Sequence, residues 1–279
     1  MKGIMLMAKE IYELTNPQKS IWHTEKYFEG TTINNICASI TILDKFDVDA
    51  LKQAIYHIVE KNDSFRTRII IQDNKPMQYF AEFEPFPVEI IQLKTDQEIN
   101  KIKEELMNYS YNIIDSNLFC FKIAKFPDGH GILIFTVHHI ISDGWSLGIF
   151  AQNIMKEYCE LCGVEVPPSQ ETGSYIEYIH SEKEYLQSSK FEKDKNYWID
   201  QFQEIPESVS FAGSKNTFKN NNYSSKRESF RVSSFVAKNI QNYCSQNKIS
   251  VFQFFMAIYS IYLSKTTGLN EFVIRNSNS

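Results

Sequence analysis

The run Ile132-Leu133-Ile134-Phe135-Thr136-Val137, followed at once by His138-His139-Ile140-Ile141-Ser142-Asp143-Gly144-Trp145-Ser146, decides how this chain folds and where its chemistry sits. An apolar, β-type run bounded by turn residues reads as a buried strand. After the turn comes a helix pattern from Ser146 to Leu161, with Gly163 placed as its C-cap. Successive side chains on an extended backbone point to opposite sides. His138 and His139 therefore cannot both face one substrate or chelate one ion: one turns inward as support, the other reaches outward. Gly144 permits a tight turn and a close approach of backbone to ligand. The helix that follows aims its free N–H groups at the same place.

Upstream of this segment, Leu118 to Lys125 forms a second buried strand, joined to the first through the turn Pro127-Asp128-Gly129. Thr95 to Tyr109 is an amphipathic helix with Ile99, Ile102 and Leu106 inward. Phe65 to Ile71 reads as a β run, and Pro76, Pro85 and Pro87 punctuate short strands after it. Asp47 caps a helix whose apolar positions Val48, Leu51, Ile55, Ile58 and Val59 share one face. Ile36 to Leu43 is a strand, and Asn16-Pro17 opens the first helix.

Downstream, Val166-Pro167-Pro168-Ser169 breaks the pattern and divides residues 1–168 from 169–279. Helices follow at Ser174–Gln187 and Lys190–Phe202, then a polar loop from Gly213 to Lys226. A strand-like Glu228–Val232, helices at Ser234–Gln246 and Ser250–Lys265, and a β run Glu271–Ile274 complete the chain. The alternation of helices and strands argues an α/β architecture with a mixed sheet.

Composition narrows the function classes. The 279 residues suffice for one large domain or two lobes, and 43% hydrophobic with 23% charged residues is ordinary globular composition. A net charge of -5 lacks the basic footprint of a nucleic-acid binder. No apolar run approaches the ~20 residues of a membrane helix, and Lys9 and Glu10 interrupt the N-terminal apolar stretch, so a cytoplasmic protein without a signal peptide is expected. Five scattered cysteines fit reduced thiols. Cys159 and Cys162 have metal-site spacing, but a zinc site needs four ligands and no second pair lies near them.

Three roles compete for the histidine segment. It can be a strand-end pair satisfied by hydrogen bonds. It can be a metal site through His139 and Asp143, for which no third ligand is evident. It can be general acid–base chemistry, since an imidazole with pKa near ~6.5 is matched to neutral pH. Two histidines, an aspartate and a glycine at one strand-to-helix turn favour the last. Serine hydrolysis lacks its Gly-x-Ser-x-Gly elbow.

Residues 138–144 resemble the His-His-x-x-x-Asp-Gly signature of condensation domains in nonribosomal peptide synthetases. Pro17-Gln18-Lys19-Ser20-Ile21-Trp22 is similar to that family's first core motif, the Arg66-Thr67 part of 61–68 to its second, and Tyr175-Ile176-Glu177-Tyr178 to its fourth. The resemblance implies a two-lobed α/β fold like chloramphenicol acetyltransferase, with a complete first lobe (1–168) and a partial second (169–279). It implies amide-bond formation between a carrier-bound donor thioester and a carrier-bound acceptor amine. His139 would face the channel and orient or deprotonate the amine, whose free pKa is about 7.7–8.0; His138 would be structural.

By the same resemblance Asp143 would pair with Arg66, and Gly144 would leave room for the phosphopantetheine arm or the oxyanion. The stretch 140–146, with Trp145 and Ser146, looks like members that join an L-configured donor to an L-configured acceptor. No cofactor would be bound directly. Substrates would arrive on the phosphopantetheine of upstream and downstream carrier proteins, with an adenylation domain in the same synthetase, and without nucleic acid or membrane.

The family's fifth motif and later strands are not in the chain, although Phe272-Val273-Ile274-Arg275 resembles the strand that leads into that motif. Without a covering sheet, Phe252, Phe254, Phe255, Ile258, Ile261 and Leu263 would form an exposed apolar patch, which predicts self-association or completion by a further segment. Two alternatives to the synthetase enzyme follow: a non-catalytic fragment that only binds carrier protein, or an acyltransferase of the same superfamily that uses acyl-CoA.

Overall fold

A computed structural model describes residues 9–167, 173–204 and 229–274. The chain divides into two compact units, 1–191 with residue 279, and 192–278. The expected boundary at 168/169, the loop 213–226, Glu228 and Arg275 lie outside the described residues.

In the first unit a four-stranded mixed sheet carries the site. Its order is β2 (Asn35–Ile42), β7 (Gly131–His138), β6 (Phe119–Lys125), β5 (Val88–Gln92). β7 runs antiparallel to both its neighbours, while β5 is parallel to β6. Every residue of β7 is buried, which explains its continuous apolar reading: a strand covered on both faces has no polar side to alternate. Leu133, Phe135 and Val137 belong to the larger core cluster, together with Leu51, Ile55 and Ile58 of α2 (Val48–Lys61) and Leu147, Phe150 and Ile154 of α4 (Gly144–Leu161). Ile132 and Ile134 join a second cluster with Ile102 and Leu106 of α3 (Asp96–Met107). His138 continues the set on this second face by the two-residue period of the strand.

A smaller sheet, β1 (Tyr12–Glu13), β4 (Lys75–Phe80) and β3 (Thr67–Gln72), flanks this layer. The β run expected to begin at Phe65 begins instead at Thr67; Asp63–Arg66 form a 3₁₀ turn. Asp63 is committed elsewhere. Its carboxylate accepts from Ser174 Oγ at 2.5 Å and from the backbone N–H of Tyr175 at 2.9 Å, which fastens the start of α5 (Tyr175–Leu186). Helix α1 (Asn16–Tyr27) has Thr15 as its cap, reciprocated by Gln18, with Pro17 in the first turn.

The second unit contains most of α6 (Ser189–Gln201), then α7 (Ser234–Asn247) and α8 (Val251–Thr267), the last closed by Gly268 in the left-handed region. Residues 229–232 and 271–274, both expected as strands, are not in strand conformation, because neither finds a pairing partner among the described residues. Along α8, Phe252, Phe255, Ile258 and Ile261 are exposed as expected, whereas Leu263 is buried.

Candidate active site

The strand ladder delivers the two histidines differently. Asn35 on β2 stands opposite His138, the last residue of β7. One step further on, the N–H of His139 donates to the carbonyl of Asn34 at 2.8 Å. There the ladder stops, and a turn closes with Ile141 N–H donating to the carbonyl of His138 at 3.1 Å. His138 is 2% exposed and His139 is exposed. The sequence expectation of one histidine inward and one outward describes this arrangement.

The partners of His138 fit one neutral tautomer. Its Nδ1 accepts from the N–H of Ile140 at 3.2 Å, so the ring proton sits on Nε2, which faces Glu25 Oε2 at 3.3 Å. The tautomer is assigned by this network. Burial pushes the His138 pKa below 6.5 and the nearby His139 adds to that, while Glu25 opposes it. The Tyr111 ring stands edge-on at 5.8 Å and closes the apolar side. A buried imidazole with both nitrogens engaged ties the turn to α1.

Four further bonds support the turn. Gln18 on α1 donates to the carbonyl of Ile140 at 3.3 Å, and its amide exchanges hydrogen bonds of 2.8 Å with Gln78 on β4. Gln18 is 2% exposed and Gln78 0%, so each needs the other: a buried amide without a partner costs about 1–3 kcal/mol. Glu25 Oε2 also accepts from Asn34 Nδ2 at 2.7 Å.

Asp143 takes a different role from the one expected. It does not pair with Arg66; its Oδ1 accepts from Ser146 N–H at 2.7 Å, and it is the N-cap of α4. Arg66 Nη1 donates instead to the carbonyl of Ala81 at 2.7 Å, and Ala81 N–H returns a bond to the Arg66 carbonyl at 2.9 Å. The reason is local. A residue three positions before a free N–H is placed to cap it, while Arg66, at the end of its 3₁₀ turn, lies beside the chain leaving β4. Partial burial raises the Asp143 pKa, but the Ser146 bonds and the neighbouring His139 outweigh it and hold the carboxyl below its ordinary range. Asp143 is therefore a fixed carboxylate one turn from the exposed imidazole.

Gly144 is the first residue of α4 and is not in the left-handed region. A tight turn is thus not what requires glycine there. A Cβ at this position would meet nothing within 4 Å, so the position presents bare backbone beside His139. Trp145, 71% exposed, and Ser146 lie on the same open surface. No group of three metal-ligating side chains exists among the described residues, and the five cysteines are free thiols. No helix among the described residues is long and apolar enough to cross a membrane.

Sequence reasoning brought His138, His139, Asp143 and Gly144 to one turn, and the structure places all four there. It missed Glu25, Asn34 and Gln78, and saw Gln18 only as part of a motif. A signal was present: Gln18, Trp22 and Glu25 recur at helical spacing, and Gln18 and Trp22 are the buried residues of α1. Polar residues on the inward stripe of a helix must have partners.

A mixed α/β sheet ending in a buried histidine, an exposed histidine and a capped helix defines a class. The chain belongs to the condensation-domain family, whose model matches residues 8–277. It is 32% identical over 276 residues to surfactin synthase subunit 1 of Bacillus subtilis (strain 168), covering 96% of this chain and 8% of that protein. It is 25% identical over 273 residues to a hybrid PKS-NRPS synthetase of Xenoacremonium sinensis, covering 96% of this chain and 7% of that protein. Among solved structures, the condensation domain from the Monacolin K polyketide synthase superposes with a TM-score of 0.76 at 18% identity, over 93% of this chain and 60% of that one. The chain thus spans a small part of its curated relatives.

Proposed function

We propose that this chain acts as a condensation domain of a nonribosomal peptide synthetase. It would join a donor acyl or peptidyl thioester on one carrier protein to the α-amine of an aminoacyl thioester on another. The observation that supports this most is His139, an exposed imidazole at the end of a wholly buried strand, with its N–H tied to Asn34. Relatives named as a surfactin synthase subunit and a hybrid PKS-NRPS synthetase support the same reading.

In the reaction the amine nitrogen attacks the thioester carbonyl carbon. The C–N bond forms, the C–S bond breaks, and the amine proton leaves through His139 to the departing sulfur. An aminoacyl amine has a free pKa of about 7.7–8.0, so roughly a fifth to a third of it is already neutral near pH 7.4 and only modest proton-transfer aid is needed. Orientation by His139 therefore contributes as much as proton removal. His138 supports the turn, Asp143 fixes the start of α4, and Gly144 leaves bare backbone for the phosphopantetheine arm. Trp145 and Ser146 border that approach, and the sequence 140–146 favours L-configured partners on both sides. Arg66 acts on the first unit's stability, through Ala81.

The substrates arrive on the phosphopantetheine of upstream and downstream carrier proteins, loaded by an adenylation domain, in the cytoplasm. The test is donor dependence: the full-length gene product is given the same acyl group on carrier protein or on coenzyme A, with a carrier-bound aminoacyl acceptor. Amide formed only from carrier-bound donor is the expected result. Turnover with acyl-CoA alone would move the protein to soluble-donor acyltransferases, and carrier binding without turnover would mark it as non-catalytic.

A further inference from the structure

Glu25 stands outside the histidine motif, near the end of α1, yet it touches both supports of the exposed imidazole. Its Oε2 faces the Nε2–H of His138 at 3.3 Å and accepts from Asn34 Nδ2 at 2.7 Å. His138 in turn takes the N–H of Ile140 on Nδ1 at 3.2 Å, and the Asn34 carbonyl takes the N–H of His139 at 2.8 Å. A single carboxylate oxygen thus reaches, through one intermediate each, the peptide groups on both sides of His139. Asn34 is 5% exposed and His138 2%, so neither has water as a ready substitute partner.

We propose that Glu25 is a positioning residue for the acyl transfer: it holds His138 in one tautomer and Asn34 in one rotamer, and so aims His139 at the reacting amine. The inference rests on the condensation reading above. Its physical basis is the cost of leaving a buried donor without its acceptor and the rule that a general base is itself oriented by a third group. If Nε2–H lost its acceptor, the His138 ring could flip or take the other tautomer. A proton on Nδ1 would oppose the N–H of Ile140, and the peptide after His139 would have to turn. A displacement on the order of 1 Å at a reacting group costs up to about a hundredfold in rate.

The experiment compares the full-length gene product with Glu25→Leu and Glu25→Gln variants. Amide formation from carrier-bound substrates is measured as kcat and KM, and the His138 tautomer is read by nitrogen NMR of the imidazole. Glu25→Leu is expected to lower kcat about tenfold to a hundredfold with KM within about twofold, and to give His138 a mixed tautomer. Glu25→Gln keeps an acceptor oxygen at the same reach and is expected to restore most of the rate and the single Nε2–H tautomer.

A purely structural residue would change the melting temperature and leave kcat per folded molecule unaltered. Wild-type kcat in Glu25→Leu, a single unchanged tautomer there, or a Gln variant as impaired as Leu would each overturn the proposal. If Glu25→Leu does not fold, Asn34→Ala cuts one of the two links alone and must lower kcat in the same direction; an unchanged kcat overturns the proposal. A wild-type protein that makes no amide would refute the condensation reading instead, and the tautomer readout would still decide the Glu25 link.

Discussion

The separate engagements of Asp143 and Arg66 can be tested by a double-mutant cycle. Asp143 accepts one backbone bond of 2.7 Å as the cap of α4, and losing such a cap costs about 1 kcal/mol. Arg66 donates a part-buried charged bond of 2.7 Å to the Ala81 carbonyl, for which about 1.5–3 kcal/mol is usual. Its Nε is buried without a hydrogen-bond partner among the described residues, so the loss should fall near the lower end. Asp143→Ala and Arg66→Ala are then expected to destabilise the first unit by about 1 and about 2 kcal/mol, and the double variant by about 3, because sites without a shared partner add to within about 0.5 kcal/mol. The assay is urea unfolding followed by the fluorescence of Trp22, buried in the first unit's core, with Trp145 and Trp198 replaced by phenylalanine. A coupling energy clearly above about 1 kcal/mol would refute the capping account and restore the ion pair that the family resemblance implies.

Two further expectations concern the supports of the turn. Gln18→Leu leaves Gln78 Oε1 without its donor, while Gln78 Nε2 keeps the Glu13 carbonyl at 2.9 Å, and should cost about 1–3 kcal/mol, with Gln78→Leu added to it recovering part of the loss; a double variant worse than the sum would contradict the reciprocal bond. His138 sets a pH dependence whose sign follows from its lowered pKa. Below 6.5 the unfolded chain takes up a proton that the folded, Ile140-bonded imidazole refuses, so this component of stability is complete above 6.5 and is lost as pH falls toward the folded pKa. Urea midpoints at about pH 7.5 and 5.5 should therefore drop more in the wild type than in His138→Gln, and equal drops would show that His138 is free to protonate.

What could be read from the sequence was what is local. The hairpin of β6 and β7, the turn after it and α4 are continuous in the chain, so apolar runs, Pro127-Asp128-Gly129 and the helix pattern revealed them together. Alternation along a strand already sets the two histidines on opposite sides. Asp143 was misplaced because its partner was taken from a resemblance, although Asp143 and Ser146 already have capping spacing. Phe65 and Arg66 read as strand by residue type, but Asp63 draws its carboxylate toward α5, 111 residues away from Ser174 in sequence, and the chain coils there instead. The Gln18–Gln78 pair, 60 residues apart, and the Glu25–His138 contact, 113 apart, have no local signature except polarity on the inward stripe of α1. The strand runs near 230 and 272 show the reverse limit: extended propensity becomes a strand only where a neighbour supplies the ladder.

The central claim is that, of the two histidines at the end of β7, His139 is the one free to act on substrate. Its most direct test is single-turnover amide formation between carrier-bound donor and acceptor, followed by intact mass of the carrier proteins, in wild type, His139→Ala and His138→Gln. The account predicts that His139→Ala melts at the wild-type temperature and forms no amide above background, while His138→Gln loses stability and keeps part of its rate. A His139→Ala protein that transfers the donor at the wild-type rate would contradict it.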